Sequence, residues 1–389
     1  GSGSRRCDLD EWQGFAYDVV EAKEKERLES AQRQKRKPLR MVLTGKAGAG
    51  KSLTVRSFVR ARREAARLAG KTAAEAQEAT VLAAPTGCAS FQMKFGAATV
   101  HRTFGVPVGF CGPVNRQTVR FAERQRRMKA ATLFVLDEFS MIGRQMLGKI
   151  LYRTMEAFQT EESLGGRDCV LSGDVRQAAP VGEEVMYKRG AYGGKGLNKP
   201  RRGQAPEGTP SMENLTTQGE LFREEFDDCV ILRKVHRVDY GEGRGWSEEK
   251  QERYAAEAKR FLEVTGKMAS CEWTRQDHAW LAKRNRSRLA LTAEGRAELR
   301  AFEQAPLLMD GRKRRGNGED GAEQRNAREL AKASARTGVP ILRIRAGHDR
   351  PAREKDLRAE LLDDAEFHGL SAELHLCEGA RVLLTHNEW

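Results

Sequence analysis

The sequence has no apolar run approaching the ~18 residues that a membrane-spanning helix requires, and its mean hydropathy is −0.65. Its first residues, GSGSRR, include no initiator methionine and are not followed by the apolar stretch of a signal peptide. We expect this start to be an artificial leader or a cut edge. These absences argue against a membrane protein and against a secreted protein.

Metal-binding patterns are also missing. The 7 cysteines and 7 histidines are scattered along the chain, without a C-x-x-C pair or a Cys/His cluster at zinc spacing. An odd number of cysteines in a long chain indicates free thiols in a reducing compartment. We therefore expect neither a disulfide framework nor a structural metal.

Acidic residues are fewer than basic residues. The chain has 55 Asp and Glu against 69 Lys and Arg, which gives a net charge of +14. This sign favours polyanionic partners such as nucleic acid, nucleotides or an anionic membrane surface, although a soluble basic protein without such a partner would have the same composition. At ~150 residues per domain, the 389 residues predict two or three domains.

Short apolar runs alternate with helical stretches in the first part of the chain. Helices are predicted over 8–37 and 51–70. Strands are predicted over 39–45, 80–87, 133–141, 168–174 and 228–237. This alternation predicts βαβ units, and therefore an α/β fold with a parallel sheet.

The second part of the chain gives weaker signals. Residues 183–218 are rich in Gly, Pro and Arg and predict a long surface excursion. A polar helical stretch follows over 240–330, and strand-like runs return at 338–346 and 373–387. We predict another α/β domain there.

The segment GKAGAGKS, residues 45–52, matches G-x-x-x-x-G-K-[ST] between a predicted strand and a predicted helix. Glycines let successive backbone N–H groups surround phosphates, and the helix N-terminus adds partial positive charge. In this interpretation Lys51 reaches the β- and γ-phosphates and Ser52 ligates Mg²⁺. The predicted nucleotide-binding residues of this loop are Gly45, Lys46, Ala47, Gly48, Ala49, Gly50, Lys51, Ser52 and Leu53.

Acidic and polar residues end two later predicted strands. In VLDEFSM, Asp137 ends a buried strand and suits Mg²⁺ coordination, while Glu138 is placed to polarise an attacking water. An acidic pair that caps a helix is the structural alternative. In LSGDVRQ, residues 171–177, Gln177 is a candidate sensor of the γ-phosphate.

Taken in order, these motifs resemble the PIF/RecD-like DNA helicases of superfamily 1. GKAGAGKS, DEFSM and GDVRQAAPVG (173–182) are similar to motifs I, II and III of that family. Gln13, in DEWQGFAYDVV, resembles the family's adenine-reading glutamine. APTGCASF (84–91) and TVHRTFGV (99–106) resemble motif Ia and its extension. Arg237, in ILRKVHRVD, resembles the motif IV arginine, and EGARVLLTHNEW resembles a late strand.

The resemblance implies a RecA-like parallel-sheet domain followed by a second, incomplete RecA-like domain. The implied layout is an N-terminal helical segment at 1–37, domain 1A at 38–238 with a small accessory insertion near 105–130, and part of domain 2A at 239–389. The implied function is ATP-driven, Mg²⁺-dependent 5′→3′ translocation and unwinding, in DNA repair, recombination or telomere maintenance. We expect a monomer in the nucleus or the mitochondrion, acting on single-stranded DNA and forked duplex.

The family implies that DNA lies across the ends of the strands. Thr86 and Gly87 follow a strand and suit a phosphate contact, whereas His101, Arg102 and Phe104 offer cationic and aromatic groups for the bases and backbone. The structural alternative places Phe104 in the core and His101 in a loop. The basic segment 120–129 is a further candidate for DNA contact. Arg237 is a candidate arginine finger for the γ-phosphate.

Three departures from the family bear on activity. Val238 replaces the usual glutamine, Ala178 and Ala179 replace Leu-Pro, and motifs V and VI are missing before Trp389. We therefore expect ordinary ATP binding, weak hydrolysis and no unwinding by this chain. The alternatives are a motor-dead protein that binds ATP and single-stranded DNA, or another P-loop enzyme, against which Gln13, TGCAS and GDVRQ count.

Overall fold

The structure is a computed structural model that describes residues 6–29, 36–187, 207–237, 245–302, 322–345 and 373–380. It divides into two compact units, Gly1–Thr274 and Arg275–Trp389. None of the helices in these described ranges is both long enough and apolar enough to cross a membrane.

The first unit is built on a six-stranded parallel sheet. Its strands are β1 (Arg40–Gly45), β2 (Thr80–Ala84), β3 (Ala98–Thr99), β4 (Leu133–Asp137), β5 (Asp168–Gly173) and β6 (Asp228–Leu232). Their order across the sheet is β3-β2-β4-β5-β1-β6, and every pairing is parallel. The predicted α/β fold with a parallel sheet is confirmed.

Helices cover both faces of this sheet. They are α1 (Glu11–Glu29), α2 (Lys51–Leu68), α3 (Ala73–Glu78), α4 (Gly87–Met93), α5 (Val100–Phe104), α6 (Val119–Ala130), α7 (Arg144–Phe158), α8 (Met212–Glu224) and α9 (Glu248–Ala269). Helices α1, α2 and α4 pack on one face, and α5 to α8 pack on the other.

Burial on both faces explains why the central strands read as continuous apolar runs rather than as alternating patterns. In β4, Leu133 and Val135 enter one core, while Phe134 and Leu136 enter the other. All four side chains are at most 1% exposed. The side chains of β4 therefore contribute to the hydrophobic cores on both faces of the sheet.

Two segments that were expected to be separate from the first RecA-like domain pack against its helices and strands. Helix α1 packs on α2 and β6, so the N-terminal helical segment is part of the first unit. The expected accessory insertion near 105–130 ends in α6, whose Phe121 and Met128 are buried against α7. The predicted boundary near residue 238 also differs from the structure, because the first unit extends through α9 to Thr274.

The predicted surface excursion is wrong at both of its ends. Val185 pairs with Gly143, Met186 is buried, and the segment from Met212 belongs to α8. Helices α7 and α8 approach closely through Gly148 and Gly219. A Cβ atom on either glycine would overlap a backbone carbonyl oxygen of the opposite helix. Residues 188–206 lie outside the described residues.

The second unit is mainly helical where it is described. It contains α10 (Arg275–Ala282), α11 (Arg286–Leu289), α12 (Ala293–Phe302) and α13 (Ala322–Thr337). Strands β7 (Leu342–Arg345) and β8 (Glu373–Leu376) pair antiparallel. An antiparallel pair is not a βαβ unit, so the second RecA-like domain stays a prediction. The end of the expected late strand, 381–389, lies outside the described residues.

We predict that Gly148→Ala destabilises the first unit. The added methyl group would meet the Leu215 carbonyl and force α7 and α8 apart, which costs about 1–3 kcal/mol in packed interiors. Thermal and urea unfolding measure the change. The matched control is Gly266→Ala in α9, where only the flexible Lys46 Nζ lies nearby, at 3.3 Å. There the better helix propensity of alanine should leave stability equal or higher by up to ~1 kcal/mol. Equal stability of the two variants would contradict the close packing of α7 and α8.

Candidate nucleotide-binding site

The loop between β1 and α2 has the conformation that an anion-binding turn requires. Gly48 and Gly50 both have φ of +85°, a left-handed conformation that glycine adopts without steric cost. Gly50 precedes α2 and provides no side-chain cap, so its first backbone N–H groups stay available to a ligand. Around these glycines, Gly45 and Ala49 are buried, Lys46 and Ala47 are exposed, and Ser52 and Leu53 are partly exposed.

Lys51 is buried at the base of this loop, with 8% of its surface exposed. Its ammonium group donates to the carbonyl oxygens of Gly45, at 2.7 Å, and Lys46, at 3.4 Å. Burial lowers the pKa of Lys51, and the carboxylates of Asp174, Glu138 and Asp137 oppose that shift. The lysine is therefore a largely desolvated cation facing three acids.

The sheet register explains why these acids lie together. Asp137 ends β4 opposite Ser172 of β5, and Gly173 of β5 lies opposite Thr44 of β1. In a parallel sheet the carboxyl ends of all strands share one edge, where ligands bind in open α/β folds. The P-loop and Asp137, from distant parts of the sequence, therefore meet there.

The two acids of DEFSM have different surroundings. Asp137 is 6% exposed, and burial raises its pKa, although Ser172 and Lys51 favour the charged form. Glu138 has φ of +50°, and its Oε2 atom is buried without a hydrogen-bond partner. Burial and the neighbouring Asp137 raise the pKa of Glu138. An unusual backbone conformation and an unpaired buried oxygen are both costly, which is common at reactive sites.

Arg237 and Gln177 lie differently about the loop. Arg237 packs directly against Gly48, where a Cβ atom would overlap its side chain. Its charge also affects the pKa values of Lys51 and Glu138. Gln177 is exposed, and its backbone N–H closes a turn onto the Asp174 carbonyl at 3.0 Å. Its side chain is not shown in contact with the loop, so the sensor role stays a prediction.

Gln13 contacts the loop instead of facing solvent. It is 1% exposed, its Nε2 donates to the Ala49 carbonyl at 3.1 Å, and its Oε1 accepts from the Asp10 N–H at 3.2 Å. An adenine contact would require Gln13 to give up or share these bonds. The adenine-reading role therefore stays a prediction.

The predicted DNA residues separate into two groups. Thr86 caps α4 by accepting from the Ala89 N–H at 3.2 Å, and Gly87 begins that helix at the carboxyl end of β2. His101 is partly exposed on α5, where burial and nearby Lys149 lower its pKa. These positions are compatible with a ligand at the sheet edge.

Phe104 is a correction. It is 0% exposed and packs against Phe134, with ring centroids 6.0 Å apart. Its predicted stacking on a base is wrong because the ring belongs to the core beneath β4. An aromatic residue after a basic pair has the same local sequence in either role, so only packing distinguishes the two.

Three residues of the site were missed by sequence reasoning. Asp174 follows β5 and faces Lys51. Asp10 lies three residues before Gln13, a spacing typical of a helix capping box. His236 donates its backbone N–H to the Gly48 carbonyl at 2.8 Å, and its ring contacts Asp10. The first two had a local signal, whereas nothing in the sequence around His236 indicates its contacts.

Comparisons with known proteins agree with this geometry. Residues 23–189 match the family model for PIF1-like helicases. The chain is 28% identical over 217 residues to the ATP-dependent DNA helicase RRM3 of Saccharomyces cerevisiae, covering 51% of this chain and 28% of that protein. It is 25% identical over 193 residues to the ATP-dependent DNA helicase PIF1 of Candida albicans, covering 48% of this chain and 19% of that protein.

A crystal structure of Pif1 helicase from Candida albicans has a similar fold. The TM-score is 0.51 at 15% sequence identity, covering 95% of this chain and 63% of that one. The chain thus spans less than a third of the length of the two curated relatives. The resemblance to PIF1-type helicases is confirmed over residues 23–189, which the family model matches.

Proposed function

We propose that this chain binds Mg-ATP at the P-loop and couples its hydrolysis to movement along single-stranded DNA, as a PIF1-type helicase. The observation that carries the proposal is the meeting of Lys51, Asp137 and Glu138 at one sheet edge, with the Glu138 Oε2 buried and unpaired. The matched relatives are named ATP-dependent DNA helicases, which supports the same activity for this chain.

The loop provides groups for the phosphates. The ammonium group of Lys51 donates to two P-loop carbonyls. A phosphate oxygen is a stronger acceptor than a carbonyl because both partners are then charged. Turning Lys51 toward a triphosphate would also offset the cost of its burial. This supports phosphate binding at this loop.

The donor set also fits Mg²⁺. Ser52 offers a hydroxyl and Asp137 a carboxylate, and Mg²⁺ binds such oxygens together with substrate phosphates and water. The described residues contain no group of three or more His, Cys, Asp or Glu that could hold a metal unaided, so phosphate oxygens would have to complete the coordination. When bound, Mg²⁺ would neutralise charge on the phosphates.

Glu138 is suited to act as the general base. A base must accept a proton near neutral pH, and a pKa raised by burial and by Asp137 increases the basicity of its carboxylate. Its unpaired Oε2 can accept a hydrogen bond from a water without first breaking another bond. These properties favour hydrolysis over transfer to a second substrate.

Single-stranded DNA is the proposed track. The net charge of +14 favours a polyanion, and Thr86, Gly87 and His101 lie on elements that follow β2 and β3. The lowered pKa of His101 favours a neutral ring, which suits a polar or stacking contact better than a charge pair. Roles in repair, recombination and telomere maintenance, forked duplex as substrate, a nuclear or mitochondrial location and the monomeric state stay predictions.

One experiment separates the candidate functions: ATP turnover measured with and without single-stranded DNA. Turnover stimulated by DNA supports the helicase proposal. Binding of ATP and single-stranded DNA without ATP turnover would instead support a motor-dead protein. ATP turnover at the same rate with and without DNA would indicate another P-loop enzyme.

We predict that Lys51→Ala abolishes ATP binding without unfolding the chain. The Lys51 side chain is buried, so its removal also takes away a desolvated charge. Because three neighbouring acids lose their counter-charge at the same time, we expect stability to change little. Calorimetric titration with Mg-ATP and thermal unfolding measure both effects, with Lys71→Ala, an exposed position after α2, as the control for loss of one charge. ATP affinity equal to that of the wild type would refute the P-loop assignment.

We predict that Glu138→Gln retains ATP binding but loses at least ~10²-fold in turnover, a usual contribution of general base catalysis. In the wild type, turnover should also fall as the pH is lowered through the raised pKa of Glu138, because the base must be ionised. Steady-state kinetics across pH measure this. Glu161→Gln changes an exposed carboxylate and should behave as the wild type. Normal turnover in Glu138→Gln would show that another group is the base.

We predict that single-stranded DNA binding weakens steeply with salt and is largely independent of sequence. Release of counterions gives a slope of log affinity on log salt near ~−0.7 for each phosphate contacted, and contacts to phosphates and base faces do not distinguish the bases. Fluorescence anisotropy with labelled homopolymers over a salt series measures the slope. A flat response would mean that the net charge has no part in binding.

A further inference from the structure

Asp10 uses its two carboxylate oxygens for two different elements. Oδ1 accepts from the Gln13 N–H at 2.9 Å, and the Gln13 Oε1 accepts in turn from the Asp10 N–H at 3.2 Å. This reciprocal pair is a capping box that begins α1. Oδ2 contacts the His236 Nε2 at 2.7 Å. The same side chain therefore starts a helix and holds a residue from the segment after β6.

Both partners of Asp10 reach the P-loop at adjacent carbonyls. Gln13 Nε2 donates to the Ala49 carbonyl at 3.1 Å, and the His236 backbone N–H donates to the Gly48 carbonyl at 2.8 Å. The Asp10–His236 bond joins these two contacts. Hydrogen bonds thereby link the N-terminal turn and the segment after β6 to each other and to the loop.

Arg237 follows His236 directly and lies against Gly48. The path from Asp10 to Arg237 therefore consists of one side-chain hydrogen bond and one peptide unit, and a separate backbone bond joins His236 to Gly48. A shift of His236 would disturb both its backbone bond to the Gly48 carbonyl and the packing of the adjacent Arg237 against Gly48. The position of the arginine depends on the position of the histidine.

We propose that His236, held by Asp10, is a positioning residue that sets Arg237 and the P-loop in register for ATP hydrolysis. This inference rests on the proposed function. His236 need not touch the nucleotide, because it acts through its backbone bond to Gly48 and through its chain neighbour. The Asp10–His236 bond would then link the N-terminal turn, which carries Gln13, to Arg237, the candidate arginine finger.

The ionised state of Asp10 strengthens its hydrogen bond to His236. Although burial opposes it, the Gln13 N–H and the His236 ring lower the pKa of Asp10, so the acceptor is a carboxylate at neutral pH. Hydrogen bonds to an ionised acceptor are about twice as strong as neutral ones. The Asp10 side chain is 15% exposed and that of His236 39% exposed, so water reaches the histidine more readily than the carboxylate.

The test is a double-mutant cycle with two readouts. His236→Phe keeps a ring but removes the bond, and Asp10→Ser keeps a hydroxyl that can cap α1 but is too short to reach the His236 ring. Each single variant should lower kcat by roughly 10- to 100-fold, the scale of a small misplacement of reacting groups, with little change in ATP affinity. The double variant should be no worse than either single variant, since both remove the same bond. Glu11→Gln, an exposed carboxylate in the same turn, is the matched control and should leave kcat unchanged.

Amide hydrogen exchange of the P-loop peptide, without nucleotide, is the second readout and does not depend on activity. Exchange over residues 45–52 should be faster in His236→Phe and Asp10→Ser than in the wild type or Glu11→Gln. Additive losses of kcat, a loss confined to ATP affinity, or unchanged exchange would each overturn the inference. A wild-type chain without any turnover would overturn the proposed function instead, and the exchange experiment would then still decide whether the bond holds the loop.

Discussion

The parallel pairing of β4, β5, β1 and β6 is the constraint on which the site depends. Because all four strands run in one direction, their carboxyl ends share an edge, and the residues that follow them must meet there. The register brings Asp137 of β4 beside Ser172 of β5, and β1 delivers the loop that carries Lys51. An antiparallel arrangement of the same strands would place these groups at opposite edges.

Several charged side chains cluster at this edge of the sheet, and the energetic cost of burying them is shared among these groups. Lys51 is desolvated but faces Asp137, Glu138 and Asp174. Glu138 has a positive φ and an unpaired oxygen, neither of which helps folding. The two cores on either side of the sheet, with central strands nearly free of exposed surface, provide the stability that allows such an arrangement.

The N-terminal segment belongs to the nucleotide site as much as to the core. Ala16 and Val20 of α1 are buried against the sheet, while the turn that begins this helix contacts the P-loop. The capping box explains both roles, because Gln13 lies at the third position of the helix and Asp10 at its cap. Local helix formation thus places two polar side chains beside the loop before any ligand is present.

The sequence by itself determined five of the six strands of the first unit, their parallel arrangement and the P-loop motif, but it did not predict the two-residue strand β3. Each depends on local signals: apolar runs bounded by glycine, a helix after a strand, and a motif of eight residues. Tertiary structure decided the roles of Phe104 and His236. Phe104 is buried because β4 presents Phe134 beneath it, and His236 reaches Asp10 across 226 positions of the chain. Such contacts depend on which surfaces the folded sheet brings together, and no local pattern of residues encodes that.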